Sequence, residues 1–429
     1  MHAVSTGAIT RGFGRRGEVV TLCALAVFIG YTDRVNISVA SLAMREQFGW
    51  SQATKGFVLS SFFIGYMLFM IVGGWLATRV GGRRVLGFSV LAWSVFTLLT
   101  PYAALVSLPV LIAARIGMGV GEASLFPAAY EMYSRWVPLS ERSRAVALLL
   151  SAIPAGTVIG LLVTGPIVAA YGWPMAFYSF GVVGLGWVIV WYLRIHNDPA
   201  SDRRLSDAER ALLPARQDPG IGAGPFPWRA LFSAPAVWAI IVSHFSSNWA
   251  LYFFLAWLPS YFKDSLGLSI VNAGQFSTLP WLAMFVTANS AGWISDALLK
   301  RGVNVLLLRK IMQVGGLLIP AALLLVLRNV HSATAALALL CGAMGGLGIT
   351  WAGHSPNILD VAGRQSAMLM SISNCISQIP GVFGVWITGW LIDVTGSYVA
   401  PFLLVAAVCI TGAAVYIGFA QARPLLAHA

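Results

Sequence analysis

Twelve apolar runs, each long enough for a helix to cross a bilayer at about 20 residues per span, occupy most of this 429-residue chain. They fall near 19–43, 55–77, 85–104, 108–134, 144–170, 174–194, 236–262, 272–296, 306–328, 333–358, 366–392 and 397–420. In lipid such a run must satisfy every backbone N–H and C=O within itself, which leaves the helix as its conformation. Short polar turns join most runs, and one linker stands apart. Residues 195–235 are polar, charged and rich in Pro and Gly. Within them LSDAERALL reads as a short amphipathic helix and the remainder as flexible chain. Six runs, a polar loop and six runs predict an all-α membrane protein with twelve transmembrane helices in two six-helix pseudo-symmetric bundles. The expected boundaries are 1–194 for the first bundle, 195–235 for the linker and 236–429 for the second. A loose repeat agrees: GGWLATRVGGRR (73–84) and GWISDALLKRG (292–302) each end the second run of a half with a Gly-Trp pair and basic residues beyond it.

Composition excludes a water-soluble alternative. The chain is 58% hydrophobic and 10% charged, against about 25% charged for soluble domains. The net charge of +12 could suggest nucleic acid, but the basic residues sit in short clusters between apolar runs, and no nucleic-acid partner is expected. With the N-terminus in the cytoplasm, 21 of the 27 Lys and Arg residues fall on the inside. The outside loops hold Arg45, Lys55, Lys263 and Arg328. This asymmetry predicts that both termini and the central loop are cytoplasmic. Cys23, Cys341, Cys375 and Cys409 are widely spaced inside apolar runs and form no disulfide or metal pattern. No phosphate-binding loop and no Ser-His-Asp set is present, so neither ATP drive, an enzyme, a cofactor nor a metal is expected. The opening MHAVSTGAITRGFGRRGE leads into a long span without a small-residue cleavage site, which predicts no cleaved signal or transit peptide.

A charge in the bilayer costs at least about 2.5–3.5 kcal/mol on insertion scales and needs a partner, water or a function. Asp33, Arg34, Arg115, Glu122 and Glu131 are the candidates. Asp33 and Arg34 are neighbours and point about 100° apart on a helix, so each faces a different part of the interior. Asn36 and Ser38 extend the stripe. One reading is an interhelical ion-pair knot that fixes packing. The other is a coupling carboxylate beside a guanidinium whose planar fork binds an anion. Arg115 and Glu122 share a helix face about 10 Å apart, too far to pair directly, with room between for another helix's side chain or a substrate. Gly117, Gly119 and Gly121 let a neighbouring helix approach. A buried carboxylate near an Arg feels opposed effects, which suits a proton carrier; a purely structural network is the alternative. Glu131 is expected to snorkel or to pair with loop arginines. His244 and His354 each head a small polar set, either as packed side chains or as lining of a polar cavity. Asn248, Ser373, Asn374 and Gln378 extend that lining, with Tyr66, Trp249 and Tyr252 as aromatic walls.

Several stretches together resemble the anion:cation symporter family of the major facilitator superfamily. They include YTDRVNISVA (31–40), SSFFIGYM (60–67), RIGMGVGEASLFPA (115–128), RWVPLSERSRAVAL (135–148), HFSSNWALYFFLAWLPSYF (244–262) and SISNCISQIPGVFG (371–384). The family includes bacterial sugar-acid symporters, sialin, vesicular glutamate transporters and plant chloroplast-type anion transporters. The resemblance implies that Asp33 and Glu122 are protonation sites, that Arg34 binds the substrate anion and that Arg115 couples the two. Thr78 stands where the family usually has a gate Asp, so gating here is expected to use another contact. Ser247 and Leu59 stand where vesicular glutamate transporters carry Arg and His, which argues against glutamate. The likeness is nearest the plant branch, but without a transit peptide the expected location is a cell inner (plasma) membrane of bacterial type.

The resulting expectation is a monomeric, proton-coupled symporter of a small organic anion, a sugar acid or other carboxylate. Asp33 and Glu122 would carry protons and Arg115 would couple them. Arg34, Tyr66, Asn248, Tyr252, His354, Ser373 and Asn374 would hold the substrate. The rivals are sodium-coupled phosphate or ascorbate transport, and a non-transporting membrane receptor or scaffold.

Overall fold

The computed structural model describes residues 14–138, 141–213, 233–363 and 366–423. The leader with Arg11, the stretch 214–232 with Arg216 and Arg229, and Arg364 lie outside the described residues, as does that part of the expected flexible linker. Twelve long helices follow in chain order: α1 (Arg15–Phe48), α2 (Gln52–Val80), α3 (Gly82–Val106), α4 (Leu108–Trp136), α5 (Arg144–Tyr171), α6 (Trp173–Arg194), α7 (Pro235–Asp264), α8 (Ile270–Lys300), α9 (Val305–Leu327), α10 (Ala333–Ala362), α11 (Met368–Thr395) and α12 (Val399–Phe419). Eleven are long and apolar enough to cross a membrane. In α8, Asn272, Gln275 and Asn289 dilute the apolar content, and its 31 residues and its position make it the twelfth span. Helices α1, α2, α3, α7 and α8 overrun their apolar runs at both ends, their last turns extending into the interfacial zone.

Helix α1 packs on α5, α2 and α3 pack on α4, and α3 packs on α6. In the second set, α8 and α9 pack on α10, and α9 packs on α12. Adding six to a helix number carries α2–α4 to α8–α10, α3–α4 to α9–α10 and α3–α6 to α9–α12. Two long seams join the halves, α5 with α8 and α2 with α11, and the same shift exchanges one for the other. This is the pseudo-twofold of a duplicated six-helix unit.

Both seams are lined by glycine. A Cβ on Gly56 would sit 3.0 Å from the Val385 carbonyl oxygen, and one on Gly389 would overlap the Gln52 carbonyl. On the other seam a Cβ on Gly165 would sit 3.0 Å from Val271 Cα, and one on Gly274 would sit 2.8 Å from the Leu161 carbonyl oxygen. Backbone therefore rests on backbone, as small residues permit between membrane helices.

Polar contacts between the halves gather at the end opposite the termini. The first N–H groups of a helix have no internal acceptor and carry the positive end of its dipole. At α2 they are met from the other half: Asp393 accepts from Gln52 N at 2.8 Å and from Ala53 N at 2.6 Å. Asp264 accepts from Gln52 Nε2 at 2.9 Å and from the Tyr398 hydroxyl at 3.2 Å, and lies 3.5 Å from Arg45. Lys263 pairs with Glu46. Lys55, read from sequence as a loop residue, is instead buried in the first turns of α2, where it donates to Ser260 Oγ at 2.7 Å over the Trp257 ring. This far end is closed.

At the termini end, the linker's first turns dock on the first half. Arg15 donates to Asp202 at 2.7 and 2.9 Å and to the Arg194 carbonyl. Burial alone would raise the Asp202 carboxyl, but the Arg204 backbone N–H and the Arg15 guanidinium outweigh it and hold it below the usual carboxylate range. The expected amphipathic segment forms a short helix, Asp207–Leu212, closed by a reciprocal capping box between Ser206 and Glu209. Glu131 accepts from the Gly82 backbone N–H at 2.6 Å and pairs with Arg135. Thr78 only turns back on the Trp75 carbonyl.

Gly389→Val and Gly274→Val should each wedge a seam and raise the population open at the far end. The readout is labelling of Ser260→Cys by a membrane-impermeant maleimide in a cysteine-free background, and unchanged protection would refute it. A depressed carboxyl stabilises docking above its unfolded pKa of about 3.9 and loses that contribution as pH falls through its lower folded value. Linker docking should therefore be flat from neutral pH down to about 4. Asp202→Asn should release it at neutral pH, seen as faster amide exchange in residues 199–213.

Candidate functional site

The first half carries an ionic centre between α1 and α4. Helix α4 is interrupted: one segment ends at Glu122 and the next begins at Leu125. The Ser89 hydroxyl donates to the Gly121 carbonyl at this break, as interrupted membrane helices require. Glu122 thus ends a half-helix, fully buried, and pairs with Arg34 of α1. The Arg34 guanidinium is also walled by rings, with its central carbon 4.6 Å from the Tyr31 centroid, 4.8 Å from Tyr66 and 4.9 Å from Phe62. Cation–π contacts of this kind contribute about 0.5–2 kcal/mol each, more when desolvated.

Arg115, one face along α4, touches Met118 Sδ at 3.0 Å and sits 5.5 Å from the same Phe62 ring. Asp33 is fully buried, and neither carboxylate oxygen has a hydrogen-bond partner. Glu122 and Arg115 are the charges that act on it, and the Trp93 indole N–H, which makes no hydrogen bond, faces it. Both polar atoms of Asn36, Glu122 Oε2, and the Nε atoms of Arg34 and Arg115 are also buried without partners. Buried polar groups are rarely left this way.

The second half carries a neutral network between α7, α9, α10 and α11. Helix α10 is interrupted too, with a tight turn at Thr350–Ala352 and a new segment starting at His354. Gln313 accepts at the freed His354 backbone N–H at 3.0 Å and faces its Nδ1 at 3.1 Å. The His354 ring stacks on His244 with centroids 4.4 Å apart. His244 Nδ1 lies 2.8 Å from Ser373 Oγ, and Ser377 Oγ lies 3.3 Å from its Nε2. Asn248 donates to the Ser377 carbonyl at 3.0 Å and Tyr252 to Gln378 Oε1 at 2.5 Å. Asn374 enters through its carbonyl, which accepts from Ser377. Across the halves, the rings of Tyr252 and Phe63 meet at 4.5 Å.

The structure thus gathers Asp33, Arg34, Tyr66, Arg115 and Glu122 in one half, and Asn248, Tyr252, His354 and Ser373 in the other. Sequence reasoning missed Tyr31, Trp93 and Gln313 as members. Tyr31 lies one helical turn before Arg34, a spacing that could have flagged it. Gln313 carried a weaker signal, an amide inside an otherwise apolar span. The four cysteines are free.

A sequence profile of the Major Facilitator Superfamily matches residues 23–353. Among curated relatives, a probable anion transporter 4, chloroplastic, of Oryza sativa subsp. japonica is 40% identical over 96% of this chain and 70% of its own length. The ascorbate transporter, chloroplastic, of Arabidopsis thaliana is 39% identical over 96% of this chain and 76% of its own. The sodium-dependent phosphate transport protein 1, chloroplastic, of the same plant is 38% identical over 96% and 81%. Among solved structures, an inward-facing, occupied bacterial homolog of the human lysosomal transporter Spinster superposes with TM-score 0.78 at 17% identity, covering 94% of this chain and 96% of its own. A D-xylose-proton symporter gives 0.74 at 15% identity, covering 94% and 98%.

These names correct the expected inner plasma membrane: the similar proteins are chloroplast proteins, which points to an organellar membrane, while the multi-pass character stands. By profile, relatives and fold, the chain belongs to the major facilitator superfamily, a family of transporters and not of enzymes.

Proposed function

We propose that the chain carries a small organic anion through an organellar membrane by alternating access, coupled to protons. The observation that carries this reading is the Arg34–Glu122 pair inside a ring of aromatic side chains, beside a carboxylate, Asp33, that has no partner. A substrate carboxylate and Glu122 compete for one guanidinium. Protonation of Glu122 removes its claim and frees Arg34 for the substrate; Asp33 is the second protonation site, and Arg115 links the two. Asn248, Tyr252, His354, Ser373 and Asn374 supply hydrogen bonds to the rest of the anion, and Tyr66 walls it. The units that rock are the two bundles, 1–194 and 236–429, tethered by 195–235, and one chain is the working unit. The named relatives support an anion as cargo. Two protons with one monovalent anion would move net charge, so voltage would contribute about 2.3 kcal/mol per 100 mV.

A sodium-coupled version of the same cycle draws on the name of one relative and on the unpaired oxygens of Asp33 and Asn36.

Uptake of ascorbate, gluconate and phosphate into proteoliposomes, with imposed pH or sodium gradients, tests the reading. A pH gradient should drive accumulation of at least one organic anion, Arg34→Ala should abolish uptake, and Glu122→Gln should leave exchange but end accumulation. Uptake indifferent to pH gradient and voltage would reject proton coupling, and a response to sodium at fixed pH would favour the second version. Stability should follow the ion pair. Arg34→Ala strands a buried carboxylate and should cost about 3–5 kcal/mol, and adding Glu122→Gln should restore part of it in thermal melts.

A further inference from the structure

We propose that His244 and His354 form a proton site in the second half that takes up one proton, shared between the rings, together with the transported anion. This rests on the anion-transport reading above. Helices α7 and α10 are the counterparts of α1 and α4 under the six-helix shift. In the first half the α1–α4 contact holds Arg34 and Glu122, with Glu122 at the break of α4. In the second half the α7–α10 contact holds His244 and His354, with His354 at the break of α10. The same pair of helices thus carries ionisable groups in both halves, by different chemistry.

The surroundings set how many protons the pair can hold. The rings stack at 4.4 Å and 24°, and two imidazolium ions at that distance repel in a weakly polar interior. One proton is therefore the limit. The ring nitrogens meet groups that can turn to donate or accept: the hydroxyls of Ser373, Ser377 and Ser355 and the amide of Gln313. A hydroxyl rotates to suit either protonation state.

Among the described residues no carboxylate acts on either ring. Burial acts on both, His354 acts on His244, and the Thr350 backbone acts on His354. On the packed elements, Arg309 of α9 and Asp360 of α10 are already joined to each other at 2.9 Å. A proton on the pair thus has no fixed counter-charge, and the anion entering between the halves is the charge that can compensate it. Anion and proton then favour each other's binding reciprocally. Without an anion the pair is neutral and works as a hydrogen-bonding surface. Among the described residues no group of three potential metal ligands forms around the pair.

Calorimetry of the purified full chain in buffers of different ionisation enthalpy, with ascorbate and inorganic phosphate as probes, counts the protons taken up on binding. The double variant H244Q/H354Q keeps hydrogen-bonding capacity but has no ring left to hold the proton. It should bind with about one proton fewer than wild type, and the pH dependence of affinity should flatten by about one tenfold step per pH unit. Wild-type proton uptake in the double variant would overturn the proposal. If neither probe binds wild-type protein, the anion reading fails for those probes, and ¹⁵N-histidine resonances of the wild type test the pair directly. A single coupled titration step at both rings, at whatever pH it falls, supports a shared proton; two independent steps overturn it.

Discussion

Everything in the first bundle is arranged around one requirement, that a guanidinium and a carboxylate be kept inside a medium that cannot solvate them. Removing either charge from water costs several kcal/mol, which their mutual attraction repays only with good geometry and further partners. Here the partners are three aromatic rings on one side of Arg34 and the broken end of α4 on the side of Glu122. Glycine makes the approach possible: a Cβ at Gly30 would lie 3.4 Å from Glu122 Oε1, and one at Gly119 would collide with the Phe62 carbonyl. Asp33, Asn36 and one oxygen of Glu122 make no hydrogen bond among the described residues.

The two bundles use one scaffold for two kinds of chemistry. Both break the fourth helix of their half, and both set a polar side chain of that helix against one from the first helix of the half. The first bundle fills this contact with formal charge and the second with imidazole, hydroxyl and amide groups. A cargo held between them would meet a cation on one side and adaptable hydrogen-bonding groups on the other. The glycine-lined seams hold the two faces together at the far end.

The spans were legible in the sequence because a helix in lipid must be apolar nearly throughout, a signal that accumulates over about 20 residues. Arg34, Arg115 and Glu122 were legible for the converse reason, since a charge in such a run stands out against its cost. Asp33 was found the same way. Lys55 escaped because it lies at the edge of a run, where a cation normally reaches water; only the fold reveals Ser260 and Trp257 around it. Gln313 and the stacking of His244 on His354 depend on tertiary geometry between distant segments, which periodicity does not encode. The compartment was misread because a leader's presence or absence reports on processing and not on the physics of the folded chain.

The glycine seams have a further consequence for the membrane around the protein. A carrier that works on an ion gradient must not short-circuit it between turnovers. Where Gly56, Gly389, Gly165 and Gly274 press main chain against main chain, no side chain stands aside to admit a file of water, and the carbonyls met there are committed to their own helices. The far end thereby owes its tightness to residues that carry no side chain at all.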